Sequence, residues 1–279
     1  MPKAIALVIA LAIGSVPLPA ATSAGETRPT DRDYDALAHG VKAYALYDQG
    51  EYADFMDVSG DVLEKYVDER SRLIDEVKIW MHSLRITSLK NHREYAAIPG
   101  EYDHLIEVKP DLDNPVYLRT ITAALIDRAM AYSMLHRTKD EIDSYHEAFD
   151  LYKRLPETST ERYVVEAMYD LILLHLDNDR PESSTRVLRE VLGAFEKSTV
   201  PTNIRFMGSA AMQTLSEATA AGAIPRDGGT ADSQAISKSL DAIIDNNSGV
   251  DHPITREGIE YMIRARSMLA READQEITP

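Results

Sequence analysis

The chain has no cysteine among its 279 residues, which excludes disulfides, thiolate metal sites, a cysteine nucleophile and a lipid-carrying N-terminal cysteine. Aromatics other than tyrosine are scarce, with one Trp and 4 Phe against 14 Tyr. Basic charge is in deficit: 30 Lys and Arg face 46 Asp and Glu, a formal net charge of -16. No nucleic-acid partner is expected, because such binding depends on a Lys/Arg-rich face that releases counterions from the phosphate backbone. Beyond the N-terminus no uncharged apolar run reaches the roughly 20 residues that cross a bilayer, so no stable membrane insertion is expected of the mature chain. Alternating β-branched runs are almost absent. With 44% hydrophobic residues the chain can still build a core, which excludes disorder throughout.

What is present begins with an address. Lys3 precedes an uncharged apolar stretch from Ala4 to Val16, Pro17 and Pro19 end it, and Ala21-Thr22-Ser23-Ala24 offers the small residues of a cleavage site. Residues 1–24 therefore read as a signal peptide cut after Ala24, and 25–32 as the flexible N-terminal segment of a periplasmic or secreted mature chain.

From residue 33 onward apolar residues recur at helical spacing. Leu118, Ile121, Leu125 and Ala129 share one face, as do Leu73, Val77, Trp80, Met81 and Leu84. Val164, Ala167, Met168, Leu171 and Ile172 repeat the stripe, and Val187, Leu188, Val191, Leu192 and Phe195 do so again. Thr30 to Asp33 and Thr158 to Glu161 have the form of capping boxes, and Pro181 suits a first turn. Gly50, Gly100, Asn178, Gly222 and Asn246 suit helix stops. The reading is all-α, with about eleven helices. Glu94 to Asn114, rich in Pro and Gly, is expected to be the least regular stretch. A loop over 222–233 separates a repeat domain, 33–221, from C-terminal helices, 234–279, that cap it.

Helix pairs with short turns also recur. Tyr132 to Leu155 shifted by about 40 residues meets Ile172 to Phe195, and Tyr44 to Tyr66 has the same form. In this the chain resembles tetratricopeptide-repeat (TPR) proteins. Gly50-Glu51-Tyr52 matches the repeat's turn, and Ala129, Tyr132, Tyr145 and Ala148 match its small and aromatic positions, although His136 stands where Gly would be. The resemblance implies a right-handed α-solenoid of antiparallel helical hairpins. It also implies groove-facing positions on first helices: Tyr44, Tyr47 and Asp48, then Met130 and Met134, then Tyr163, Glu166 and Asp170. The Lys and Asn of a carboxylate clamp are missing from these positions.

Motifs for chemistry are sparse. Glu101-x-x-His104 has ligand spacing but occurs once, whereas a di-metal bundle needs it twice with two further Glu. Asp177-x-Asp179 with Glu182, and Asp111-x-Asp113-Asn114, gather oxygens but coincide with helix starts, where acidic residues serve as caps. His136, His146 and His175 are read as lying near helix ends or on polar faces. Neither a Walker loop nor a nucleophile elbow occurs. No catalytic role, cofactor or metal is therefore expected. The expectation is an exported adaptor or assembly factor that binds a protein or peptide in a Tyr/Met/acidic groove. The alternatives are a periplasmic small-ligand or glycan-binding protein, with Tyr and Trp80 as stacking surfaces, and a metal-assisted hydrolase.

Overall fold

The computed structural model describes residues 29–109, 112, 114–155, 162–222 and 231–274. The expected signal peptide, the capping box at Thr158 to Glu161 and most of the 222–233 loop lie outside them. Among the described residues there are eleven α-helices and no strand, in agreement with the all-α reading. They are α1 (Asp31–Gln49), α2 (Tyr52–Lys65), α3 (Arg72–Asn91), α4 (Ile98–Glu107), α5 (Pro115–Met134) and α6 (Thr138–Tyr152). Then follow α7 (Arg162–Asp177), α8 (Pro181–Phe195), α9 (Pro201–Ala220), α10 (Ala231–Asn247) and α11 (Pro253–Asp274). The chain divides into two compact units, Met1–Pro110 and Asp111–Pro279, a division that falls inside the stretch 33–221.

Helix starts follow local chemistry. Thr30 Oγ1 accepts from Asp33 N–H, and Asp33 Oδ2 accepts from Thr30 N–H at 2.7 Å, so the first turn of α1 has its donors satisfied in both directions. Ser71 caps α3 by accepting from Ile74 N–H, and its hydroxyl donates to Asp33. One buried carboxylate thereby ties the starts of α1 and α3 together. Pro99 and Gly100, expected to break the chain, instead sit in the first turn of α4. Proline is tolerated there because its missing N–H would have no helical partner.

In the first unit the hairpins α1/α2 and α3/α4 pack through α1 on α3, around Phe55, Tyr66, Met81 and Leu84. In the second, α5/α6 and α7/α8 form hairpins, α9 lies on α7 and α8, and α11 packs along α9. The C-terminal α10 contacts α8 and α11.

The recurrence along the chain is regular in the backbone. Gly50, Arg93, His136, Asp179 and Gly222 all have positive φ (79°, 63°, 56°, 54° and 66°) and stand 43 residues apart each time. The first four are followed by one closing bond from the next N–H to the carbonyl five residues back: Glu51 to Leu46, Glu94 to Leu89, Arg137 to Tyr132 and Arg180 to His175, at 2.8–3.0 Å. This is the left-handed helix ending that glycine favours, so His136 does occupy the Gly position of the repeat. The same spacing aligns Ala43, Ile86, Ala129, Ile172 and Leu215, each at most 1% exposed. It is longer than the roughly 34 residues of the TPR consensus.

Candidate functional site

In the first unit, Tyr44 and Tyr47 lie on the edge of the core. The Tyr44 ring stands 5.4 Å from Trp80 and 6.2 Å from Tyr47, and Tyr47 meets Phe55 edge-on at 5.4 Å. Burial pushes the Tyr47 hydroxyl up, with Tyr44 and Asp48 adding to it. Asp48 is exposed. Trp80 is committed to packing against Tyr44 and Gly40, so its ring is not an open stacking platform.

A cleft of about 350 Å³ in the same unit is bounded by α2, α3 and α4. Its floor carries Lys78, His82 and Arg85, at successive turns of α3, and the buried Glu101 from α4. Glu101 accepts from His82 at 2.6 Å and from Arg85 Nε at 3.0 Å. Arg85 also donates to Met56 O at 2.8 Å and Ser59 Oγ at 3.1 Å, while Lys78 Nζ donates to Glu69 O at 2.7 Å and Val67 O at 3.2 Å. Burial alone would raise the Glu101 carboxyl, but the His82 bond and the Arg85 charge hold it below its ordinary value. These charges are used as straps that join α3 to its neighbours. His104 lines the rim of the same cleft, its ring 6.2 Å from that of His82, but it pairs with Glu107 while Glu101 is taken by His82 and Arg85. Among the described residues no group of three or more His, Cys, Asp or Glu could hold a metal ion.

The second unit offers a different surface. Along α5, Val116, Met130 and Met134 are 47%, 43% and 57% exposed, on the same side of the helix as Asp127. Moving 43 residues along the chain, Asp127, Met130 and Met134 become Asp170, Leu173 and Asp177 of α7. The expected groove residues Tyr163, Glu166 and Asp170 do lie on the outward side of α7, but the true counterparts of Met130 and Met134 are Leu173 and Asp177. Burial pushes the Tyr145 hydroxyl of α6 up, and the charges of Asp170, Glu141 and Asp127 add to it. Burial and Glu166 raise the Asp170 carboxyl, and burial also raises Glu141 despite its bond from Ser133. Glu166 is paired with Arg162 at 2.7 Å, whereas Asp170 has no cationic partner among the described residues.

Beside this face a notch of about 180 Å³ opens where α7, α9 and α11 meet. Tyr169 and Phe206 meet at 5.7 Å with their rings tilted by 48°, Arg205 lies over Phe206, and Tyr261 donates to Glu257 at 3.0 Å. Sequence reasoning missed this notch and the roles of Val116, Asp127 and Glu141; a search at the 43-residue spacing would have found Asp127 as the equivalent of Asp170. His175 does stand in the last turn of α7, as expected, but faces inward rather than outward. It is 4% exposed at a core position, 5.7 Å from the His146 ring, because the 43-residue register gives it the place of Leu89 and Tyr132.

No protein-family model matches the chain. No curated protein matches it in sequence. Among solved structures, two forms of a Podosopora anserina protein described as a putative kinesin light chain with nearly identical TPR-like repeats are similar to it. One, a form carrying a point substitution, has a TM-score of 0.47 at 8% identity and covers 78% of this chain and 98% of its own. The other has a TM-score of 0.47 at 9% identity and covers 80% of this chain and 100% of its own.

Proposed function

We propose that this is an exported helical-repeat protein that binds another protein at the cell envelope, as an adaptor or assembly factor without a catalytic role of its own. The observation that carries the reading is the outward face of α5. Val116, Met130 and Met134 lie open on a helix whose other side is fully packed. Methionine suits such a surface because its flexible, polarizable side chain adapts to a partner's shape. The cleft of the first unit is less suited to binding, since its charged groups are already engaged by carbonyls and by one another. Export rests on the N-terminal sequence alone.

The test is crosslinking co-purification of the tagged chain from its native envelope fraction, with Met130→Ser/Met134→Ser alongside. A defined protein recovered with the wild type and lost from the variant supports the reading. Equal recovery with both, or none with either, rejects it. N-terminal sequencing of the chain recovered from the envelope fraction should begin at Gly25; a chain that still carries Lys3 would reject signal cleavage, and its absence from that fraction would reject export.

A further inference from the structure

We infer that the notch where α7, α9 and α11 meet binds one pyranose ring, as a free sugar or as one residue of a glycan. Its lining comes from helices other than α5, so the inference stands independently of the protein-binding reading. The chemistry of that lining carries it. Tyr169 and Phe206, both half-buried, supply aromatic faces tilted by 48° to each other. Around them stand polar groups with bonding capacity to spare. Arg205 is exposed, lies 5.7 Å from the centre of the Phe206 ring and makes no ion pair among the described residues. Glu257 Oε1 accepts from the Tyr261 hydroxyl at 3.0 Å, and no hydrogen bond to its other oxygen occurs among the described residues. The Tyr169 hydroxyl and Ser209 Oγ stand 3.5 Å apart, at the outer limit of a hydrogen bond, so each keeps most of its capacity.

One cation and one anion thus face the same space without pairing, and a ligand of either net charge gains from one and is repelled by the other. A neutral ligand carrying hydroxyls meets both, because a guanidinium only donates, a carboxylate only accepts and a hydroxyl does both. Its shape is set as well: apolar on its faces to lie against Tyr169 and Phe206, and polar around its rim to reach three helices. A pyranose with equatorial hydroxyls has that form, since C–H groups cover its faces and hydroxyls ring its edge. A tyrosine from a partner does not, since its single hydroxyl sits at one end of an otherwise apolar ring. The volume of about 180 Å³ lies below the roughly 300–1,000 Å³ of sites that enclose drug-sized ligands, which suits one ring. The notch is also held ready. Gly208 and Gly258 let α9 and α11 approach backbone to backbone, and a Cβ on Gly258 would stand 2.8 Å from the Arg205 Cα. Arg205 and Ser209 flank Gly208 on one helix and Glu257 precedes Gly258 on the other, so this crossing fixes donor and acceptor before a ligand arrives.

The experiment titrates the full chain with four probes and reads binding by saturation-transfer NMR: methyl β-glucopyranoside, the β-linked trisaccharide of glucose, the open-chain polyol xylitol, and N-acetyltyrosinamide. The glucoside should bind with a millimolar Kd, about tenfold or more tighter than xylitol, and N-acetyltyrosinamide should bind no better than xylitol. Arg205→Gln, Glu257→Gln and Phe206→Leu should each weaken the glucoside by about fivefold or more, while Lys42→Gln, on α1, should not. Circular dichroism melts separate loss of fold from loss of binding; Arg205 is exposed, so its variant carries the test if Phe206→Leu melts early. Tighter binding of the trisaccharide assigns the site to a glycan chain and equal binding assigns it to a single sugar, and both support the inference. Equal binding of xylitol removes the ring from the account and overturns it. Tighter binding of N-acetyltyrosinamide, lost in Phe206→Leu, makes the notch a socket for a partner's side chain and overturns it too. So does no binding of the glucoside, or binding unchanged in all three variants. A crosslinked protein lost from Met130→Ser/Met134→Ser upholds the protein-binding reading whichever way the sugars fall, so the two fail separately.

Discussion

Gly208 of α9 and Gly258 of α11 meet backbone to backbone. A Cβ on Gly208 would collide with the carbonyl oxygen of Gly258, and one on Gly258 would lie 2.6 Å from the carbonyl oxygen of Ile204. Backbone cannot give way as a flexible side chain can, so this crossing is open only to glycine. Gly208→Ala and Gly258→Ala should each cost about 3 kcal/mol. Gly193→Ala, in α8 where an added Cβ would meet no other described group within 4 Å beyond the helix's own backbone, should instead gain up to ~1 kcal/mol. Urea melts of the three variants check this, and a neutral result at Gly208 would contradict the close approach.

The left-handed turn residues make a second test. Arg93 and His136 hold the conformation that Gly50 adopts freely, and a side chain there costs on the order of 1 kcal/mol. Arg93→Gly and His136→Gly should therefore each raise stability by about 1 kcal/mol, and Gly50→Ala should lower it by a similar amount. Thermal midpoints moving the other way for both turns would show that their side chains are bound more strongly than the backbone is strained.

Glu101 anchors both His82 and Arg85. Glu101→Gln should cost about 2 kcal/mol, because it leaves the half-buried Arg85 guanidinium and the buried His82 without their carboxylate. Since the folded carboxyl sits below its ordinary value, its contribution is present above about pH 4.3 and is lost as the pH falls through the folded value. The acid limb of wild-type stability should therefore be steeper than that of Glu101→Gln. Parallel limbs would remove the ion pair from the account.

His175 makes a pH test of the opposite kind. Neither ring nitrogen has a hydrogen-bond partner among the described residues, and burial, with His146, Arg180 and Arg186 nearby, lowers it to about 4. The unfolded ring titrates near 6.5, so between these values the unfolded chain binds more protons. Stability from this group is complete above about pH 6.5 and falls as the pH drops toward 4, by at most ~3 kcal/mol. His175→Leu should flatten that fall and leave stability at pH 8 unchanged or higher, because it removes two unsatisfied polar atoms from the core. Urea titrations at pH 8, 6 and 5 decide it.

The eleven helices were legible because apolar residues at helical spacing, such as Leu118, Ile121 and Leu125, bury one face whatever surrounds them. The capping box at Thr30 and Asp33 was legible for the same reason: it is closed by residues three apart. The repeat was legible only as a shift of about 40 residues, and its 43-residue register was not, since Gly50, Arg93, His136, Asp179 and Gly222 share a backbone conformation and no common side chain. A repeat written in φ angles and burial leaves little identity to align. The resemblance to the repeat family set Met130, Met134, Tyr163, Glu166 and Asp170 on outward faces of their helices. It could not turn His175 inward beside His146, because that relation depends on how α6 and α7 pack together. Local periodicity and capping made the helices, and packing between elements distant in the chain decided which surface was left open.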